Sequence, residues 1–321
     1  MAETETDYPV VVLAGPTASG KSRLALRLAQ EFSGEILCCD ALQIYRGMEI
    51  GTAKPTVAER ALVPHHLVDL RDPTAEFSAG EYERAGREAL ESVRRRGRLP
   101  LVVGGTGLYL RALERGLFEG PGRSEELRAR MRRIAARGGA ARLHRALARV
   151  DPASGARIAP ADLPRIIRAY EVYCQSGTPI SRWHARATRP AEGFRWCKLA
   201  LSIPRPELYA RINARVDEMF ERGFVDEVRD LLRRFPRDAP AFKAIGYRQV
   251  ARFLEGALTL PEAMEEVRRQ SRRYAKRQLT WFRAEADFIW LAGDEAACLD
   301  QARGAIRDFV VGRHAGRKRR L

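Results

Sequence analysis

The segment that most constrains this chain is a short apolar run followed directly by a glycine-rich turn. The run, Val10–Ala14, is rich in β-branched residues, as in a buried parallel strand. The residues after it fit the pattern G-x-x-x-x-G-K-S/T at every fixed position; they are Gly15, Pro16, Thr17, Ala18, Ser19, Gly20, Lys21 and Ser22. Apolar residues between Leu24 and Ala29 then recur at helical spacing. Strand, turn and helix in this order predict a P-loop, which binds phosphate groups.

The chemistry of a P-loop follows from its residue types. Glycines allow the backbone to curl so that several N–H groups point at one phosphate, and the helix N-terminus adds its positive end. Lys21 contributes a full positive charge, and Ser22 offers a hydroxyl oxygen to a magnesium ion. We therefore expect Mg²⁺ as a cofactor. The pattern does not state whether the phosphates belong to a nucleotide.

The composition limits the class of protein. With 321 residues, of which 45% are hydrophobic, the chain can bury a sizeable core as one large domain or two smaller ones. No apolar run approaches the ~18 residues of a membrane span, and the acidic N-terminus is unlike a secretory signal. The five cysteines form no C-x-x-C pair, which favours a reducing compartment and gives no support to a zinc site. We expect a cytoplasmic protein that does not bind membranes.

The charge balance points to a polyanionic partner. The formal net charge is +16 and the pI is near 10.2, and such a surplus is typical of proteins that bind nucleic acid. Only six of the 57 basic residues are lysine, so an arginine-rich genome would explain the choice of arginine. It would not explain the surplus of bases over acids. A basic enzyme that acts on a small molecule is the alternative.

Two further strand ends carry residues that suit a phosphate site. Asp40 follows the predicted strand Glu35–Cys39, and Thr106 lies in the glycine turn Gly104–Tyr109 after another predicted strand. The carboxyl ends of parallel strands are where such sheets bind ligands. Asp40 is therefore either a general base or a magnesium ligand, or else a helix-capping or turn aspartate. Thr106 either offers its hydroxyl to a ligand, caps a helix, or does both.

Other local patterns predict structure rather than chemistry. His65–Leu70 has the pattern of a third strand, and neighbouring residues of a strand face opposite sides, so we expect His65 and His66 not to share a metal ion. Ser78 with Glu81, and Thr259 with Glu262, predict capping boxes at the starts of two helices. Asp162 predicts the cap of a third helix.

The predicted domain organisation places a basic helical segment inside the α/β part of the chain. Between Arg123 and Arg149 there are nine arginines and only two acidic residues, with apolar residues at helical spacing. We predict a P-loop core over 1–119, a helical arginine-rich insertion over 120–195 that binds RNA, and completion of the core over 196–321. Arg317–Arg320 is a short basic tail, for which disorder is the simplest expectation.

Taken together, these stretches resemble the bacterial tRNA dimethylallyltransferases, also called tRNA isopentenyltransferases. The resemblance covers nearly the whole chain in the family's order. Its motifs after the P-loop are Asp40 with Ile44–Met48, Ile50–Pro55, Pro64–Asp69, Gly104–Tyr109, Arg165–Ile166 with Arg168–Ala169, Ala244–Arg248 and Lys276–Arg283. The fold that the resemblance implies is α/β: a P-loop NTPase-like parallel sheet flanked by helices, with a helical insertion domain.

The resemblance also implies a reaction. Dimethylallyl diphosphate would donate its five-carbon group to the exocyclic N6 of the adenosine beside the tRNA anticodon, and diphosphate would leave. The P-loop would then hold a prenyl diphosphate rather than ATP. Asp40 matches the family's general base. Thr106, Lys21, the P-loop amides and magnesium on Ser22 would stabilise the leaving diphosphate.

The same resemblance implies contacts to the anticodon stem-loop of tRNA. The residues concerned are Asp40, Ala41, Leu42, Gln43, Thr106, Arg128, Pro164, Arg165, Ile166, Ile167, Arg168, Lys243, Ala244, Ile245, Gly246, Tyr247 and Arg248. The chain departs from the family at two of them, with Ala41 where serine is usual and Pro164 where glutamine is usual. Proline has no polar side chain, so it cannot replace a hydrogen bond from that glutamine to a base. We expect a monomer.

Three other functions account for part of the sequence. A P-loop kinase would explain the P-loop and Asp40 but not the arginine-rich insertion. A prenyltransferase acting on free adenylate would have little use for that insertion. A non-catalytic, RNA-binding NTPase switch would explain the charge but not the turn Gly104–Tyr109. Ligand preference separates a kinase or a switch from a prenyltransferase. A kinase or a switch binds ATP or GTP tightly, whereas a prenyltransferase favours dimethylallyl diphosphate.

Overall fold

A single parallel β-sheet forms the centre of the larger part of the chain. The computed structural model describes residues 7–186 and 188–312, so the predicted basic tail Arg317–Arg320 lies outside the described residues. The strands are β1 Tyr8–Ala14, β2 Gly34–Cys39, β3 His65–His66, β4 Leu99–Gly104, β5 Phe194–Ser202 and β6 Ile289–Ala292. Their order in the sheet is β3-β2-β4-β1-β5-β6, and every neighbouring pair is parallel. This arrangement confirms the predicted α/β class.

Helices connect and cover these strands. They are α1 Lys21–Glu31, α2 Val57–Leu62, α3 Ala79–Arg95, α4 Gly107–Arg115, α5 Glu125–Val150, α6 Pro152–Arg157, α7 Leu163–Ser176, α8 Ile180–His184, α9 Arg205–Glu221, α10 Phe224–Arg234, α11 Tyr247–Leu254, α12 Leu260–Arg283 and α13 Glu295–Val310, with a 3₁₀ turn at Pro240–Lys243. The capping signals read from the sequence are confirmed. Ser78 Oγ accepts from Glu81 N at 3.2 Å, Glu262 closes the same kind of box on Thr259, and Asp162 caps α7.

The central strand β1 is buried on both faces, which is why its sequence is apolar without alternation. Val11 and Leu13 pack in one cluster with residues of α1 and α13. Val10 and Val12 pack in a second cluster with residues of α3, α4 and α12. Because helices cover both faces, ligands can approach the sheet only at its edges or at the strand ends. The carboxyl ends of β1, β2 and β4 lead to the P-loop, to Asp40 and to Thr106 respectively.

The third strand is shorter than predicted. Of the predicted strand His65–Leu70, only His65–His66 pairs with β2. Leu67 and Asp69 adopt positive φ angles of 64° and 55°, a region that interrupts an extended strand. Asp69 instead turns its carboxylate to Lys54, at 2.6 Å from Nζ. An ion pair formed with a distant residue therefore overrides the apolar pattern of this segment.

The chain divides into two compact units, Met1–Glu114 together with Ala191–Leu321, and Arg115–Pro190. The predicted insertion, 120–195, begins five residues after the start of the second unit and ends five residues beyond it. Residues after Pro190 belong with the sheet, because Ala191 N donates to Glu114 O at 3.0 Å and β5 begins at Phe194.

The second unit is helical and has its own apolar core. Its helices are α5 to α8, and α5 contains a kink at Gly139, where φ is 74°. Leu143 and Leu147 of α5 pack with Ile166 and Val172 of α7. The apolar stripe predicted along the arginine-rich segment is thus the side that α5 buries. Within the described residues, none of the helices combines the length and apolar character that a membrane span requires.

Candidate active site

The P-loop joins β1 to α1 as the sequence predicts. Gly20 precedes α1 with φ of +86°, a conformation that favours glycine. Ser19 N donates to Pro16 O at 3.3 Å, which closes the turn. The Ser19 hydroxyl is buried and has no hydrogen-bond partner among the described residues. A buried hydroxyl without a partner is costly, and a phosphate oxygen held in the loop would supply one.

Two basic side chains converge on this loop. Lys21 Nζ donates to Pro16 O at 3.2 Å, and Arg215 Nη1, from α9, donates to Thr17 Oγ1 at 2.9 Å. Burial lowers the pKa of Lys21 to about 8, a shift that Asp40 opposes and Arg215 reinforces. Burial also lowers the pKa of Arg215, although a guanidinium stays charged. Both hydrogen bonds end on uncharged oxygens, so these cations favour the entry of an anion.

The glycine turn after β4 lies directly against the P-loop. A Cβ on Gly105 would come within 3.2 Å of Gly15 O. Gln278 of α12 links the two loops: its Oε1 accepts from Thr17 N at 2.9 Å, and its Nε2 donates to Gly105 O at 2.9 Å. Gln278 is 5% exposed. The two predicted phosphate-facing turns are therefore one structure, held together by a helix from the C-terminal part of the chain.

Asp40 lies at the end of β2 in a defined orientation. Its Oδ1 accepts from Leu42 N at 2.8 Å, which fixes the carboxylate and leaves the second oxygen for other partners. Asp40 does not cap a helix, because the residues after it form turns. Its bond from Leu42 N is that of a turn aspartate, the other structural role that the sequence allowed. Thr106 Oγ1 accepts from Ala41 N at 3.2 Å, so its hydroxyl holds the residue next to Asp40 instead of capping α4.

Tyr274 of α12 adds a phenol beside these groups. Burial and the charge of Asp40 raise the pKa of Tyr274 to about 12, while a hydrogen bond with the Thr106 side chain opposes the shift. The phenol therefore stays neutral at any pH near neutrality. Tyr274 lies one helical turn before Gln278 on α12.

These elements surround a cavity of about 430 Å³, a size typical of ligand pockets. Its polar lining consists of Thr17, Lys21, Ser22, Asp40, Gln43, Thr52, Glu59, His65, Arg215, Lys243, Ser271, Tyr274, Arg277 and Gln278. Its apolar lining includes Leu26, Ile36, Ile212, Val216, Met219, Ile245 and Val267. Thr106 lies beside the cavity and not among these residues. A carboxylate, several cations and an apolar wall thus face the same space, all within the sheet-containing unit.

The segment after Asp40 is fastened by a buried lysine. Lys54 Nζ donates to Tyr45 O at 2.6 Å, to Glu49 at 2.8 Å and to Asp69 at 2.6 Å. Gln43 Nε2 donates to Ala53 O at 3.1 Å. The three bonds of Lys54 use the full donor capacity of its ammonium. Together these contacts give the segment that follows the candidate base a fixed path along the cavity.

The predicted RNA contacts of the 243–248 segment divide into two groups. Lys243, Ala244 and Ile245 line the cavity, and Arg248 is exposed. Gly246 and Tyr247 are buried, and the Tyr247 hydroxyl donates to Glu227 at 2.6 Å. Gly246 and Tyr247 therefore support the segment from inside the unit and do not form its surface.

The predicted RNA contacts of the second unit also divide. Pro164 and Arg165 are exposed, whereas Ile166 and Ile167 are buried in the apolar core. Arg128 donates to both oxygens of Glu171, at 2.8 and 2.9 Å, and Arg168 donates to the same carboxylate at 2.8 Å.

The charge of Glu171 is balanced within the unit. Burial alone would raise the pKa of Glu171, but hydrogen bonds from Arg128, from Ser124 N and from Arg168 outweigh it and lower the pKa to about 2. Ile166, Ile167, Arg128 and Arg168 thus have structural partners that the sequence did not reveal.

Comparison with known proteins places this geometry in a family. The sequence pattern of the family described as IPP transferase matches residues 43–285. The chain belongs to this family. A tRNA dimethylallyltransferase of Koribacter versatilis (strain Ellin345) is 47% identical over 304 residues, which cover 94% of this chain and 99% of the relative. One from Pelobacter propionicus is 48% identical over 283 residues, 88% of this chain and 92% of the relative.

Solved structures of the family share the fold. The tRNA isopentenylpyrophosphate transferase of Bacillus halodurans aligns with a TM-score of 0.69 at 36% identity, covering 97% of this chain and 100% of that chain. A eukaryotic dimethylallyltransferase acting on tRNA aligns with a TM-score of 0.79 at 27% identity, and the alignment covers 97% of this chain and 82% of that chain. The resemblance seen in the motifs is therefore confirmed over almost the full length of the chain.

Several residues of this family member reach the site without having been predicted to do so, and three of them make the contacts described above. Arg215, Tyr274 and Gln278 come from the middle of long helices. The stretch Lys276–Arg283 is part of the family resemblance, which is the signal that could have found Gln278. Arg215 has no such signal, because one arginine in a helix with other arginines carries no local mark of burial.

Proposed function

We propose that this protein transfers the dimethylallyl group of dimethylallyl diphosphate to the exocyclic N6 of the adenosine beside the anticodon of tRNA. The observation that carries the proposal is the cavity itself. A P-loop with two half-buried cations lies at one part of its wall, and the oriented carboxylate of Asp40 lies at another. The activities named for the relatives supply the donor and the acceptor.

The diphosphate occupies the P-loop in this proposal. The amide groups at the start of α1, the Ser19 hydroxyl, Lys21 and Arg215 bind its oxygens. When the carbon–oxygen bond breaks, the electron pair stays on the bridging oxygen, and these groups stabilise the charge that develops there. Donors that are already in place cost no reorganisation at that moment, which is the physical basis of the expected rate enhancement.

Asp40 takes the proton in this proposal. The amine of adenine is a weak nucleophile and must lose a proton as the new nitrogen–carbon bond forms. The Asp40 oxygen not bound by Leu42 N accepts that proton. Thr106 acts as a positioning residue, because its hydroxyl holds Ala41 N beside the base. Its predicted role as a direct donor to the diphosphate stays a prediction.

Magnesium fits the donor set as part of this proposal. Among the described residues, no group of three or more His, Cys, Asp or Glu could hold a metal ion by itself. Mg²⁺ in phosphate sites takes most of its oxygen ligands from phosphates and water, so the exposed Ser22 hydroxyl and the diphosphate are sufficient. When bound, the ion neutralises negative charge on the leaving group.

The tRNA is held by exposed basic residues in this proposal. Lys243 and Arg248 are exposed in the sheet-containing unit, and Arg132 and Arg165 are exposed in the helical unit. The reacting base must leave the stacked anticodon loop to reach a carboxylate inside a cavity, as bases do in other enzymes that modify them.

A transfer assay tests the proposal directly. Labelled dimethylallyl diphosphate is incubated with the protein, magnesium and bulk tRNA, with free AMP and ATP as parallel acceptors. Label in tRNA alone is the expected result. Label in free nucleotide would replace the acceptor with free adenylate, and ATP hydrolysis without any transfer would contradict the proposal in favour of a nucleotide-using P-loop.

A further inference from the structure

The link that Gln278 makes between the two phosphate-facing turns has a use beyond folding. Gln278 is 5% exposed. Its amide makes two backbone hydrogen bonds: Oε1 accepts from Thr17 N in the P-loop, and Nε2 donates to Gly105 O in the turn after β4. One partner requires an acceptor and the other a donor. Among side chains of this length, only an amide or a protonated carboxylic acid offers both at neutral charge.

The backbone opposite Gln278 is shaped to receive it. A Cβ on Gly105 would lie 2.1 Å from Gln278 Nε2, so any larger residue there would displace the amide. Gly105 has no positive φ, which means that close approach and not backbone conformation explains the glycine. The turn therefore leaves room for this one side chain from α12.

The P-loop partner of Gln278 is also connected to a cation. Thr17 donates its backbone N–H to Gln278 Oε1, and its Oγ1 accepts from Arg215 Nη1 at 2.9 Å. Thr106, next to Gly105 in the chain, holds Ala41 N beside Asp40. Gln278 thus lies between the part of the site that holds cations and the part that holds the base.

We propose that Gln278 is a positioning residue that sets the distance between the P-loop and the Gly105–Thr106 turn. This inference rests on the proposed function, since it assigns the bound diphosphate to the P-loop and the proton acceptor to Asp40. Without the link, the P-loop keeps its bond from Ser19 N to Pro16 O and the second turn keeps its bond from Thr106 N to Cys39 O. The two turns lose the side chain that joins them. Misplacement of reacting groups by about 1 Å costs on the order of 100-fold in rate.

The experiment compares three variants of the full chain in the transfer assay. Gln278→Met keeps the length and burial of the side chain but removes both hydrogen bonds. Gln278→Glu restores both only when the carboxyl is protonated. Gln301→Met is the matched control, because Gln301 also bonds one backbone N–H and one carbonyl, those of Ala292, away from the cavity.

For Gln278→Met we expect a kcat that is lower by about 10- to 100-fold and a tRNA KM that is unchanged within about twofold. The control Gln301→Met should keep the wild-type kcat. For Gln278→Glu, the ratio of its kcat to that of the wild type rises as the pH falls from 8 to 6. Protonation restores the donor to Gly105 O, and the ratio cancels any pH dependence that both proteins share. A side chain that only stabilises the fold would not produce that pH dependence.

A kcat of Gln278→Met within about threefold of wild type would overturn the inference, as would a flat pH ratio for Gln278→Glu. Calorimetry with inorganic diphosphate separates this failure from failure of the proposed function. If the wild type binds diphosphate but transfers no prenyl group, the proposed function is wrong. The role of Gln278 then still requires that Gln278→Met bind diphosphate about tenfold more weakly than Gln301→Met. Equal binding by the two variants, or none by the wild type, removes the role of Gln278.

Discussion

Basic side chains converge at two places in this molecule, the cavity of the sheet-containing unit and the buried Glu171 of the helical unit. The two places differ in whether those side chains already contact a carboxylate. In the helical unit, Arg128 and Arg168 converge on Glu171, whose side chain is fully buried, and its charge is balanced inside the unit. At the cavity, Lys21 and Arg215 donate to uncharged oxygens, and Asp40 accepts a backbone N–H. The first arrangement is complete without a ligand, whereas the second has charge that a ligand must balance.

This difference indicates how basic residues divide between folding and function. A cation that donates two hydrogen bonds to a buried carboxylate, as Arg128 does to Glu171, stabilises the folded state only while that partner is present. A half-buried cation that faces a cavity has lost hydration, and nearby carboxylates offset that loss only in part, as the lowered pKa values of Lys21 and Arg215 reflect. Net charge alone, +16 for this chain, does not separate the two kinds.

The largest effect is expected at Asp40. Asp40→Asn keeps the shape and the hydrogen bond from Leu42 N but cannot accept the proton, so kcat should fall by about 10²- to 10⁴-fold with tRNA affinity unchanged. Single-turnover transfer and a tRNA binding assay measure the two quantities. Asp72→Asn, at an exposed carboxylate paired with Arg46, serves as the control with wild-type turnover. Turnover of Asp40→Asn within tenfold of wild type would show that another group takes the proton.

A matched pair of arginine variants tests the difference between the cavity and the Glu171 cluster most directly. Arg215→Met removes a cation that faces the cavity and should lower kcat/KM for the donor by about 10²- to 10³-fold while leaving the melting temperature unchanged or higher. Arg128→Met leaves the buried Glu171 with fewer partners and should cost about 3 kcal/mol of unfolding free energy. Steady-state kinetics and urea unfolding of both variants test this division. The reverse pattern would mean that the two regions have been assigned the wrong roles.

The cost of Arg128→Met should depend on pH. The pKa of Glu171 is lowered to about 2 in the folded wild type, so its stabilising contribution is present above pH 5 and is lost as the pH falls toward 2. In the variant, Glu171 takes up a proton at a higher pH, because burial is then less well compensated. The stability difference between the two proteins should therefore narrow as the pH falls from 6 to 4 in unfolding experiments. If the stability difference between the two proteins does not change with pH, Arg128 stabilises the fold through packing and not through the charge of Glu171.

A smaller effect is expected for the titration of Lys21. Because burial lowers the pKa of Lys21 to about 8, the free protein loses this charge as the pH rises through 8. Affinity for inorganic diphosphate, measured by calorimetry, should then decline by up to about tenfold per pH unit relative to Lys21→Arg. The titration of diphosphate is the same for both proteins and cancels in the ratio. If both proteins respond equally to pH, Lys21 is not the group that titrates.

The smallest effect should come from the exposed arginines of the helical unit. Arg132 and Arg133 are exposed, and Arg132 lies 3.9 Å from a Glu125 oxygen. Arg132→Glu with Arg133→Glu should raise the tRNA KM severalfold and make the slope of log affinity against log salt shallower by about 0.7 to 0.9 for each phosphate no longer neutralised. Melting temperatures should not change, in contrast to Arg128→Met. An unchanged salt dependence would show that this part of the surface does not bind RNA.

Local sequence predicted the structure correctly where all the residues that form a feature lie in one short stretch. The P-loop needs only its own glycines and the strand and helix beside it, and the capping boxes at Ser78 and Thr259 need only the residue three positions on. The α/β class followed from the same local patterns. The predicted strand His65–Leu70 failed for the opposite reason, because Asp69 turns away to an ion pair with Lys54 that the local pattern does not contain.

The sequence by itself determined the family, the P-loop, the position of Asp40 at a strand end and the presence of a basic helical unit. Only the tertiary structure decided which charged residues are paired and which face the cavity. Gln278 reaches Thr17 across 261 positions of sequence, and Arg215 reaches the same residue across 198. The pairing of Arg128 with Glu171 spans 43. Such pairings depend on how helices pack on the sheet and on each other, and helical periodicity specifies which side of a helix is buried but not what it meets there.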